Sequence, residues 1–97
     1  MTKREEAINK MAESVMYELE KEYKKSEQIT YGFVYSLIMH APNSTYIVDE
    51  YFETLVQEVY NCCENVESLD ELMKRKNNIK NSIGTYMSKY VDPSDPR

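Results

Sequence analysis

Apolar residues recur along this chain at intervals of three and four, and the recurrence predicts four helices. Ile8, Met11, Ala12, Val15, Leu19 and Tyr23 trace one stripe, with Glu6, Lys10, Glu13, Glu20, Lys21 and Lys24 on the opposite face. Thr2-Lys3-Arg4-Glu5 has the spacing in which a hydroxyl and a carboxylate satisfy each other's free amides, so a first helix is expected over residues 2–25. The next segment, residues 26–40, reads two ways. Ile29, Tyr31, Phe33, Tyr35, Leu37 and Met39 alternate as a strand would, yet Ile29, Phe33, Leu37, Val34 and Ile38 also share a helical face. No other segment reads as a strand, and a lone strand leaves its backbone unpaired unless a second chain supplies the ladder. A helix is therefore expected, with Gly32 marking its first turn or a close crossing.

Ala41-Pro42-Asn43-Ser44 breaks the chain, because proline disfavours helix at the residue before it. A third helix is expected over residues 45–66, with Val48, Phe52, Leu55, Val59, Cys62 and Val66 as its central stripe and Ile47, Tyr51, Val56 and Cys63 widening it. So broad an apolar face predicts the most buried helix of the group. Ser68-Leu69-Asp70-Glu71 repeats the capping spacing and starts a fourth helix over residues 68–90. Its stripe is Leu69, Leu72, Met73, Ile79, Ile83, Tyr86, Met87 and Tyr90, interrupted by Lys76 and weakened by Asn77, Asn78, Asn81 and Gly84. Short connections make antiparallel neighbours. The expected fold is all-α: a compact antiparallel bundle of about four helices, one domain over residues 1–90, with a flexible proline-punctuated tail at 91–97.

Composition agrees with one ordinary globular core, at 97 residues, 41% hydrophobic and 30% charged. The longest apolar run, Phe33 to Met39, falls far short of the ~20 residues that span a bilayer, and the first residues carry no apolar signal core. Cys62 and Cys63 are adjacent, a spacing that makes a mutual disulfide strained. Both are read as free thiols in the third helix, which places the protein in a reducing cytoplasm.

Charge changes the picture more than composition does. The net formal charge is −5. Residues 43–67 hold Asp49, Glu50, Glu53, Glu58, Glu64 and Glu67 with no Lys or Arg, whereas residues 68–90 hold Lys74, Arg75, Lys76, Lys80 and Lys89 against Asp70 and Glu71. Packed as a hairpin, the two helices would partly neutralise each other. The acidic one also offers a surface: in a regular helix Tyr46, Asp49, Glu50 and Glu53 lie along one side of its first two turns, joining an aromatic anchor to carboxylates. Of the nine tyrosines, Tyr23, Tyr51, Tyr60, Tyr86 and Tyr90 fall at the edge of the stripes, whereas Tyr17, Tyr31, Tyr35 and Tyr46 fall off them and are the better interface candidates.

Chemistry is thin. His40 is the sole histidine, and with Cys62 and Cys63 it does not make the separated pairs of a zinc site. No phosphate loop, nucleophile elbow or di-iron motif is present. Neither a metal nor another cofactor is expected, and no catalytic residue. The expectation is a small non-enzymatic interaction module, an inhibitor, immunity factor or regulator, that binds a basic partner protein through Tyr46, Asp49, Glu50 and Glu53. A second copy pairing through the Tyr-rich second segment is a further expectation. The competing readings are a structural subunit of a larger assembly and a nucleic-acid regulator using Lys74, Arg75, Lys76, Asn77, Asn78 and Lys80, which the acidic chain as a whole opposes.

Overall fold

The computed structural model describes residues 2–89. The first helix, α1, runs Lys3–Ser26, and its start follows the sequence: Thr2 accepts the Glu5 amide at 3.1 Å. Its buried residues are Ala7, Ile8, Met11, Ala12, Val15, Met16 and Leu19. Glu27 ends it in a left-handed conformation (φ 58°) while its amide still reaches the Tyr23 carbonyl at 2.8 Å. The ambiguous segment is a helix, α2, over Tyr31–His40, capped by the Thr30 hydroxyl on the Phe33 amide at 3.1 Å. It begins later than the pattern suggests, because Glu27 turns the chain and Thr30 supplies the cap. Gly32 lies in the first turn and makes no close crossing, since nothing lies within 4 Å of where a Cβ would stand.

The third helix departs most from expectation. Residues 44–51 are not α-helical: a 3₁₀ turn over Ser44–Tyr46, two extended residues, Ile47 and Val48, and a second 3₁₀ turn over Asp49–Tyr51 precede α3, Phe52–Cys63. The extended pair is held from far away in sequence. Ile47 forms an antiparallel bridge with Met87, the Val48 amide donates to the Tyr86 carbonyl at 3.1 Å, and the Ser88 amide donates to the Tyr46 carbonyl at 2.8 Å. This register sinks Ile47 to 1% exposure, a burial that a helix continuing from residue 45 would have to find elsewhere.

The fourth helix is broken into α4, Leu69–Lys74, and α5, Lys76–Tyr86, with Arg75 between them at φ −84°, ψ −2°. Ser68 caps α4 as the sequence predicts, accepting the Glu71 amide at 3.1 Å, but the Glu71 carboxylate reaches back to the Glu67 amide at 3.3 Å, one residue beyond the usual box. The α5 helix stops at Tyr86 rather than at residue 90, because Met87 leaves it to pair with Ile47. Tyr90 and the 91–97 tail lie outside the described residues.

Pairs of contacts fix the directions. Tyr31 meets Tyr60 while Tyr35 meets Phe52, so α2 and α3 run oppositely. Tyr51 meets Tyr86 while Glu58 meets Ser82, so α3 and α5 do too. Arg4 reaches Ser88, and Lys80 shares a groove with Glu5, Ile8 and Asn9, which sets α5 antiparallel to α1. The result is an all-α bundle of four helices, the fourth in two segments, with α3 between α2 and α5. Its radius of gyration, 13.0 Å, is that of a packed chain of this length. Met11, Val15, Leu19, Val34, Ile38, Leu55, Val59, Leu72, Ile79 and Ile83 form the solvent-free centre. No described helix is long and apolar enough to cross a membrane.

Candidate protein-binding surface

The four residues expected to line one helix side do not share a regular helix. Tyr46 ends the first 3₁₀ turn, half-buried against the core. Asp49 and Glu50 are exposed in the second turn, and Glu53 is exposed as the second residue of α3. The extended Ile47–Val48 step separates the tyrosine from the carboxylates. The aromatic ring that accompanies them is instead Tyr51, 45% exposed and braced by the Tyr86 ring at 5.6 Å between centroids. The two tyrosines lie otherwise than a continuous helix would put them, Tyr46 half-buried and Tyr51 exposed. A helix through residue 48 turns Tyr51 inward, and the break at Ile47–Val48 turns it out.

The carboxylates of the acidic stretch have different jobs. Asp49, Glu50 and Glu53 gather at the start of α3, where unpaired backbone N–H groups favour negative charge. Glu58 points toward α5, but hydroxyls meet it there in place of a lysine: Ser82 donates to it at 3.0 Å, and so does Tyr86. Donating to Glu58 holds the Tyr86 phenol above its ordinary value of 10.0, with lesser contributions from burial and from the charge of Glu58. Beyond its first turn the outer side of α3 is uncharged, with Gln57 donating to Asn61 at 2.8 Å. The acidic surface is therefore a shoulder at one end of α3 rather than a face along it.

The basic stretch is dispersed as well. Arg75, at the joint between α4 and α5, is paired with Glu71 of α4 at 3.5 Å, and Lys80 lines the groove toward α1. The basic residue with the most structure around it is one the sequence did not single out. Arg4 crosses to the end of α5, where its guanidinium donates to the carbonyls of Gly84, of Met87 at 3.1 Å and of Ser88 at 3.3 Å. Carbonyls left over at a helix C-terminus attract a cation, and a fork of N–H donors can serve several at once. Arg4 lies four residues before Ile8 on the apolar stripe, which was the available signal.

Cys63 is buried and Cys62 half-buried, both free, so the core cysteine is the neighbour of the one placed on the central stripe. Burial pushes the Cys63 thiol up to about 12, Cys62 beside it pushing the same way and Arg75 opposing. Burial likewise raises Cys62. Thiols held neutral in this way are poor nucleophiles and poor metal ligands. Among the described residues no three His, Cys, Asp or Glu side chains come together as a metal site would require. Compared with known proteins, the chain matches no family model, no curated protein and no solved structure.

Proposed function

We propose that this chain is a non-enzymatic protein-binding module, an inhibitor, immunity factor or regulator in kind, whose contact surface is the shoulder of Asp49, Glu50, Tyr51 and Glu53. The observation that supports this reading is the exposed, braced Tyr51 ring standing among three exposed carboxylates. An aromatic ring already held by a neighbour loses little freedom on binding, and carboxylates around it speed the approach of a basic partner. The partner's chemistry follows: a positively charged protein surface with an apolar recess for one ring. Two neutral thiols suit a reducing compartment, and the cytoplasm is the setting we assign.

The test begins with capture from native lysate at low and high salt. A protein retained by the wild-type chain and lost at high salt is the candidate partner. Against it, reversing Glu50 and Glu53 to Lys should slow association and flatten its salt dependence, whereas Tyr51→Ala should raise the dissociation rate. Lys74→Glu with Lys80→Glu should leave binding intact. Loss of binding in the lysine variants with full binding in the acidic variants would overturn the proposal in favour of a basic recognition surface.

A further inference from the structure

Tyr86 grips the segment before α3 twice. Its carbonyl accepts the Val48 amide at 3.1 Å, and the Val48 carbonyl in turn accepts the Tyr51 amide at 2.9 Å, so the backbone of the second 3₁₀ turn hangs from the end of α5. Its ring meets the Tyr51 ring at 5.6 Å between centroids, with the planes 38° apart. The backbone bonds fix where the Tyr51 side chain starts but leave its own torsions free, so the ring contact restrains them. That contact is only as firm as the Tyr86 ring.

Glu58 holds the Tyr86 ring in turn. One of its carboxylate oxygens accepts from Ser82 at 3.0 Å and the other from the Tyr86 hydroxyl. Glu58 follows Tyr51 by seven residues, about two helical turns, and so faces the same side of α3. Ser82 and Tyr86 are one turn apart on the facing side of α5. The four side chains therefore make one array across the seam between the two helices. A lysine opposite Glu58 would meet it as a point charge on a flexible stem. A phenol on a rigid ring, donating to a carboxylate, fixes an angle instead.

On the reading of Asp49, Glu50, Tyr51 and Glu53 as the contact surface, we infer that Glu58 is a positioning residue of that surface: through the Tyr86 hydroxyl it sets the pose of the Tyr51 ring without touching the partner. The carboxylates then divide their work. Those at 49, 50 and 53 act on the approach of a basic partner, whereas Glu58 acts on how long the complex lasts, because a ring fixed beforehand need not be ordered on binding.

Nuclear magnetic resonance of the free, carbon-labelled chain tests the positioning before any partner is in hand. In the wild type Tyr51 should hold a single χ1 rotamer and show ring-to-ring contacts with Tyr86. In Tyr86→Phe and in Glu58→Ala its rotamers should average and those contacts fade, while the Tyr31–Tyr60 and Tyr35–Phe52 contacts across α2 and α3 stay as they are. Glu58→Gln, whose amide oxygen can still accept from a hydroxyl, should keep part of the order. Against the captured partner, Tyr86→Phe leaves the charge unaltered and should raise the dissociation rate about two- to tenfold with the association rate unchanged. A Tyr51 ring that keeps one rotamer in both Tyr86→Phe and Glu58→Ala would overturn the inference, as would a loss of order shared equally by the α2–α3 ring pairs. A fixed Tyr51 ring whose removal in Tyr51→Ala left the partner's dissociation unchanged would instead overturn the reading of the shoulder as the contact surface, and with it the role given to Glu58.

Discussion

Two edges of this bundle are held together by different physics. Where the ends of α1 and α5 meet the segment before α3, the ties are directional: Arg4 on three carbonyls, the Ile47–Met87 bridge with its flanking amides, and Glu58 on two hydroxyls. At α2 the side-chain hydrogen bonds stay local, the Phe33 amide donating to Thr30, His40 meeting the Ser36 carbonyl and Ser44 donating to the Met39 carbonyl, and the helix is held by buried aliphatic groups and ring edges. Directional bonds fix position as well as face, whereas burial fixes little more than which face is inward. The tied edge is thus a rigid platform for Tyr51 and its carboxylates. The α2 edge is a helix laid on the core.

Removing the central tie should produce the largest effect. Arg4→Ala leaves three carbonyls at the end of α5 without their charged donor and should cost about 2–4 kcal/mol, lowering the melting temperature by more than about 10 °C. Arg4→Lys should recover only part of this, because an ammonium cannot reproduce the fork. Urea unfolding of the three proteins measures the difference. Glu58→Ala should cost about 1–2 kcal/mol and loosen the α3–α5 contact under Tyr51. In Glu58→Gln the Tyr86 phenol should titrate closer to its ordinary range, which tyrosinate absorbance against a Tyr86→Phe reference would show.

Alkaline pH probes the same region with a definite sign. The Tyr86 phenol and the Cys63 thiol both ionise at higher pH when folded than when unfolded. Their contribution is whole below the unfolded values and is lost as pH rises, between 9.0 and about 12 for Cys63 and from 10.0 upward for Tyr86. Stability should therefore fall above pH 9.0, and a Cys63→Ala chain should show a shallower decline there, with Cys62, also raised from 9.0, keeping its own share. In native protein a thiol reagent should label Cys62 first and Cys63 at the rate of local opening.

The smallest effects run the other way. A Cβ at Gly84 would meet Ile8 at 3.5 Å, an ordinary contact, and one at Gly32 would meet nothing. Each Gly→Ala change should stabilise the monomer by up to about 1 kcal/mol through helix propensity, measured by thermal melting of dilute protein.

Local signals were legible where local forces decide. The cap at Thr2, the α1 stripe and the cap at Ser68 are settled within one or two helical turns, and the structure keeps them. The start of α3 is decided elsewhere. Ile47 and Val48 are β-branched and favour extended backbone, but the partner of Ile47, Met87, lies beyond any window in which periodicity is read. That one long-range pairing moved Tyr46 inward and Tyr51 outward, and so relocated the candidate surface. Arg4 was hidden for a related reason: in sequence it resembles any helix-surface charge, and only the arrival of the α5 terminus gives it carbonyls to serve.

Amide hydrogen exchange tests the contrast between the edges most directly. The account predicts that α2 amides such as Val34 and Ile38 exchange faster than those of α5, through local opening. Those of Ile79 and Ile83 should be slow. If α2 were as protected as α5, the loose hold on α2 would be contradicted.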